Sequence, residues 1–97
     1  MTRRRGRGEI VRFLREAVWE RRYVYTRHAK LEMAEDHLRP RDIRRILLTG
    51  DLVKTLTRDP RGPRHIMRGI ASDGRQVEVL WRRILDYVRI ITVYVLD

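Results

Sequence analysis

The apolar period of this chain changes at Gly50, and that change narrows the folds it can adopt. Before Gly50 most apolar residues recur three and four apart, the spacing of one helix face. After it they run in short segments broken by turn residues, as strands do. The first half predicts helices over Glu9–Arg22, over Arg27 to about His37, and from Pro40 to just before Gly50. A short strand, Tyr23–Thr26, interrupts them. Pro40 suits a first helical position, Asp42 complements the same turn, and Gly50 reads as the residue just past the helix end. The second half predicts strands over Leu52–Leu56, His65–Ser72, Gln76–Arg82 and Val88–Val95. Asp59-Pro60-Arg61-Gly62-Pro63 forms a loop, Asp73-Gly74 a hairpin turn, and Leu85–Tyr87 another turn. Helices followed by strands in 97 residues imply one α+β domain with a flexible basic arm, residues 1–8, ahead of it. The helices should cover one face of a mainly antiparallel sheet of four to five strands.

If one face is covered, the other can hold a site. Ile91, Val93 and Val95 in the last strand should face the helices, which turns Thr92 and Tyr94 outward. Val77, Val79 and Trp81 leave Gln76 and Glu78 on the open face. His65–Ser72 is ambiguous: Ile66 and Ile70 suggest that His65 and Met67 point outward, yet Arg68 shares the parity of the isoleucines.

The net charge is +10, and residues 1–30 carry ten basic and three acidic side chains. Arg3, Arg4, Arg5 and Arg7 lie in the arm, and only Lys30 and Lys54 among the 23 basic residues are lysine. Arginine binds phosphate with two parallel bonds and stacks on bases, so the balance suits RNA. A solvated surface from a thermophile or a GC-rich source accounts for the same composition. No cysteine is present, which excludes disulfides and thiolate metal sites. No apolar run approaches membrane-spanning length and no signal peptide is evident, so the expectation is a cytoplasmic protein without a membrane partner.

Thr26-Arg27-His28 places one of three histidines in the first turn of a helix, where anions collect, with Thr26 as cap. Metal-free RNA cleavage needs a base for the ribose 2′-OH, a cation for the phosphorane and an acid for the leaving 5′-oxygen. The candidate catalytic set is His28, Glu78 and Tyr94. Arg27, Arg64, Arg68 and Arg75 join the arm arginines as candidate RNA ligands. His28 with Glu32, or His37 with Glu35 and Asp36, supplies at most two metal ligands, and no His-Glu-x-x-His pattern occurs, so neither a metal nor another cofactor is expected.

Several landmarks occur in order: Tyr23-Val24-Tyr25-Thr26-Arg27-His28-Ala29, Met33, Leu47-Leu48-Thr49-Gly50, Asp59-Pro60-Arg61-Gly62-Pro63, Asp73-Gly74-Arg75 and Ile91-Thr92-Val93-Tyr94. Together they resemble a widespread prokaryotic domain-of-unknown-function family over residues 9–97. Its members look like small toxins of toxin–antitoxin pairs, similar to RelE-like and BrnT-like ribonucleases. The resemblance implies a RelE/barnase-like fold, cleavage of RNA or a block on ribosome-bound mRNA, and a cognate antitoxin protein as partner. It carries His28 and Tyr94 across as functional positions. Three places depart from the pattern. Glu32 stands where an arginine is common, His37-Leu38-Arg39-Pro40 replaces an arginine-glycine step, and Glu78 aligns with a frequent histidine. Either Glu78 substitutes as the base, or this member binds RNA without cutting it.

Overall fold

The computed structural model describes residues 6–96. Helix α1 (Arg7–Trp19) buries Leu14, Ala17 and Val18, and begins two residues earlier than expected. It stops where Arg21 enters the left-handed region at φ 61°. There Arg21 N–H donates to the Val18 carbonyl and Arg22 N–H to that of Ala17, which satisfies two orphaned carbonyls. Strand β1 (Tyr23–Tyr25) then leads into helix α2 (Arg27–Glu35). Helix α2 ends the same way, with His37 at φ 54° and Leu38 N–H donating to the Met33 carbonyl. His37 therefore lies past the helix it was expected to close.

Helix α3 (Pro40–Thr49) buries Ile43, Ile46 and Leu47. Asp42 anchors its start. One carboxylate oxygen accepts from Arg39 N–H at 3.0 Å, and the other from Ser72 N–H at 2.9 Å, tying the helix to the turn after β3. Burial pushes this carboxyl up, but the two backbone donors outweigh it and hold the pKa at about 2. Gly50 follows with φ −78°, which is not left-handed. Glycine is required there by close approach instead. A Cβ would sit 2.5 Å from the Arg68 carbonyl oxygen and 2.6 Å from that of Ile46.

The rest is an antiparallel meander of β2 (Asp51–Leu56), β3 (Arg64–Ile70), β4 (Gln76–Ile84) and β5 (Tyr87–Val95). β1 adds to it parallel to β5, giving the order β1-β5-β4-β3-β2. The fold is thus α+β with a mainly antiparallel five-stranded sheet, as expected. α3 lies over β3, α2 lies along β5, and α1 packs on α3 and β5. Among the described residues no helix is long and apolar enough to cross a membrane.

The ladder settles one face that the sequence left open and changes another. In β3, Met67 and His65 point toward the helices and are buried, while Arg68 is exposed. Cross-strand partners share a face, and Met67 lies between Leu52 and Val79, both core residues. Gly69 shares that parity and lets Ile46 approach, since a Cβ there would meet its side chain at 3.1 Å. In β5, Ile91 is the extra residue of a bulge. Ile90 opposes Trp81 and Thr92 opposes Leu80, which leaves Ile91 without an opposite residue. Val88 and Ile90 face the core before the bulge and Val93 after it; Ile91 does not join them.

Candidate nucleic-acid interface

The bulge and α2 are built together. Thr26 accepts from Ala29 N–H at 3.0 Å, capping α2, and its hydroxyl donates to the Ile91 carbonyl at 2.8 Å. Glu32, one turn further along, accepts from Val93 N–H at 2.9 Å. Helix α2 thus supplies the polar partners that the interrupted ladder needs. The other Glu32 oxygen lies 3.4 Å from His28 Nε2, and His28 is mostly exposed. His28 is tied to β5 through Glu32. It has no hydrogen bond or ion pair to Glu78 or Tyr94 among the described residues.

Glu78 and Tyr94 do meet. They are directly opposite in the β4–β5 ladder, and Arg68 is opposite Glu78 in the β3–β4 ladder. The three form one row across the face away from the helices. One Glu78 oxygen accepts from Arg68 Nε at 2.8 Å, with Arg68 Nη2 at 2.7 Å; the other accepts from the Tyr94 hydroxyl. Burial pushes the Glu78 carboxyl up, but the Tyr94 and Arg68 bonds outweigh it, and its pKa falls below the ordinary glutamate value. Burial first, then the Glu78 bond and charge, push the Tyr94 phenol up to about 12. Near neutral pH the row therefore holds a carboxylate, a guanidinium and a protonated phenol.

Two rows away along the strands, Arg82 opposes Arg89. Like charges opposite one another destabilise a sheet unless something offsets them. Asp59, from the loop after β2, does so. Its Oδ2 lies 2.5 Å from Arg82 Nη2 and 3.6 Å from Arg64 Nε, and its Oδ1 accepts from Arg61 N–H at 2.9 Å. That backbone bond, against burial and with bonds from the Arg61 and Arg82 side chains, holds Asp59 at about 2. The compensation is incomplete. The buried Nε of Arg64 and of Arg82 have no hydrogen-bond partner, and exposed Arg89 has no ion pair among the described residues. Between the two rows lie half-buried Ile66, Leu80 and Thr92. An apolar strip edged by guanidinium groups and a phenol suits bases flanked by phosphates.

The remaining sequence candidates fall elsewhere. Arg3, Arg4 and Arg5 lie outside the described residues. Arg7 is in the first turn of α1 and donates to the Leu52 carbonyl. Arg27 is exposed at the start of α2. Arg75 is held at the hairpin by Asp73 at 2.7 Å and by the Asp36 carbonyl at 2.7 Å. Arg82, Arg89 and Asp59 were missed. A signal existed for Arg89, which alternates with buried Val88 and Ile90, and for Arg82, which follows buried Trp81. Among the described residues, no cluster of three or more His, Asp or Glu is placed to hold a metal ion.

No curated protein and no solved structure matches the chain. A family model described as a domain of unknown function (DUF4258) matches residues 25–95, from the end of β1 through β5, and the chain belongs to that family.

Proposed function

We propose that the protein is a metal-independent endoribonuclease of the toxin type. In this reading it takes RNA across the open sheet face, in the setting of ribosome-bound mRNA, and a cognate antitoxin protein restrains it. The toxin and antitoxin parts rest on the sequence resemblance. The observation that carries the RNA chemistry is the Arg68–Glu78–Tyr94 row on an arginine-edged sheet face. When RNA displaces the Tyr94 bond, Glu78 is free to take the proton of a ribose 2′-OH. The 2′-oxygen attacks the adjacent phosphorus, and the bond from phosphorus to the 5′-oxygen breaks. Tyr94 gives its proton to that leaving oxygen and recovers one from Glu78. Arg68 and Arg64 neutralise the phosphorane. His28 and Arg27, at the start of α2, hold a neighbouring phosphate.

A second reading is favoured by one observation: both Glu78 oxygens are occupied, and its pKa is lowered rather than raised toward neutrality. That is a poor free-state base and a good fixed anchor, as a module that binds RNA without cutting it would need. End-labelled single-stranded RNA and translating ribosomes, each in excess EDTA, separate the two. The ribonuclease reading expects fragments ending in a 2′,3′-cyclic phosphate and a 5′-hydroxyl. Glu78→Gln should slow their appearance by at least ~10²-fold. Bound but intact RNA in both assays refutes it and leaves the binding module.

A further inference from the structure

A second recess opens on the opposite side of the sheet, beneath the first turns of α1. It has a volume of about 1240 Å³ and includes Phe13, Thr55, His65, Trp81, Arg83 and Arg7 in its lining. Nothing in the open-face reading uses it. Its wall is aromatic: the His65 and Trp81 rings lie 4.6 Å apart at 42°. Two arginines and one acid, Asp86, line it. The Arg83 guanidinium sits 3.9 Å over the Phe13 ring, and Arg7 stands at the start of α1.

One group on this wall lacks a partner. Trp81 is 1% exposed, and its indole N–H has no acceptor. A buried N–H without an acceptor is uncommon in native structures. His65 is only 7% exposed, and its Nδ1 is bonded to the Thr55 hydroxyl at 2.9 Å. Burial lowers its pKa to about 4, so the ring is uncharged near neutral pH. The recess therefore combines an uncharged aromatic lining with two guanidinium groups at its mouth.

We propose that this recess binds a nucleotide unit, with its base held in the recess and its phosphate at Arg83 and Arg7. An anion is matched to the guanidinium groups, of which only one Arg7 nitrogen and Arg83 Nε are engaged by backbone carbonyls. The volume accommodates a ligand of that size. The unit is either a free mononucleotide or one residue of an RNA strand. The proposal stands apart from the open-face reading, because the two sites lie on opposite sides of the sheet and share no residue.

The test uses Trp81 as its own reporter. Trp19 is the other tryptophan and is 70% exposed, so Trp19→Phe leaves Trp81 as the sole tryptophan. With excitation beyond tyrosine absorption, so that Trp81 alone of the fluorescent side chains is read, this protein is titrated with AMP, UMP, adenosine, inorganic phosphate and a short single-stranded RNA. Saturable quenching by AMP or UMP with a Kd of ~1 mM or tighter, at least ~10-fold weaker for adenosine and phosphate, supports a free nucleotide. Saturation by the RNA alone supports a nucleotide within a strand. In either case Arg83→Gln should weaken binding by ~10-fold, and Arg45→Gln, an equal loss of charge on exposed α3, should not. Two results overturn the proposal: no saturation with any nucleotide or RNA, or equal affinity in Arg83→Gln and Arg45→Gln. A circular dichroism spectrum unchanged by Arg83→Gln keeps its effect separable from unfolding.

Discussion

If RNA lies across the open face, its affinity must fall with salt at a slope set by the arginines it can reach. Three qualify. The Arg68 side chain is 47% exposed, that of Arg64 is 34% exposed, and Arg89 is exposed. Arg82 does not, since its side chain is 8% exposed and held by Asp59. Each phosphate neutralised on a single strand contributes about −0.7 to the slope of log K against log salt. Three contacts give a slope of about −2 and a loss of roughly 20-fold between 50 and 200 mM salt. Replacing Arg89 by Gln should flatten the slope by about 0.7, and replacing Arg64 as well should flatten it by about 1.4. Fluorescence anisotropy of a labelled single-stranded RNA over that salt range reads these slopes. Arg68→Gln is the poorer probe, because it also strips a guanidinium from Glu78. The competing account places binding in the arm arginines Arg3, Arg4 and Arg5. Unchanged slopes in the Arg64 and Arg89 variants, with a flattened slope on deleting residues 2–5, would refute the open-face assignment and favour the arm.

Two further predictions concern the scaffold that holds this face. Asp42 has its pKa lowered from 3.8 to about 2, a difference worth about 2 kcal/mol at 1.36 kcal/mol per unit. Because the folded value is the lower one, that stability is present above about pH 4 and is lost as pH falls through about 2. Urea unfolding of Asp42→Asn should show a deficit of about 2 kcal/mol at pH 7 that shrinks toward zero near pH 2, and an equal deficit at both would count against the mechanism. Thr26→Val keeps the shape but removes both the Ala29 cap bond and the bond to Ile91, at a cost of about 1–2 kcal/mol. Faster amide exchange at Ala29, read by NMR, is the expected local sign; unchanged protection there would show that the cap contributes nothing.

The helices and strands were legible because their signals are local. Pro40 and Asp42 mark a helix start, Thr26 a cap, and Asp73-Gly74 a hairpin turn, with Gly74 at φ 90°. Helix ends were less legible. Two of the three helices stop on left-handed non-glycine residues, Arg21 and His37, where the expected marker would be glycine. Gly50 is the converse. It looks like a left-handed stop and is instead a contact point for two carbonyls, one in its own helix at Ile46 and one at Arg68 that arrives only once β3 is folded against it.

Side-chain facing was legible only where the ladder is regular. Glu78 and Tyr94 were assigned to the open face correctly, although the expectation behind Tyr94 grouped Ile91 with Val93. The bulge displaces Ile91 and leaves everything after it in the assumed parity, so Tyr94 was unaffected. In β3 apolarity and charge disagreed and left the facing open; Ile66 and Ile70 in fact share the outer face with Arg68 while His65 points inward. Counting charges rather than apolar residues would have decided it. An arginine beside a sheet can remain solvated only on the uncovered side, and Arg64 and Arg68 fix that side for β3 as Arg89 does for β5. Along β4 the rule fails, because Arg82 is buried on the open face and Arg83 is exposed at the recess on the other side; only the ladder shows the two guanidinium groups of Arg82 and Arg89 facing each other. Nothing local to β4 or β5 supplies an anion for them. The one carboxylate within reach comes from a loop, and it leaves buried N–H groups on Arg64 and Arg82 without acceptors. An incompletely compensated cationic row is unfavourable for the isolated domain, and the RNA proposed for this face would supply the charge that Asp59 only partly provides.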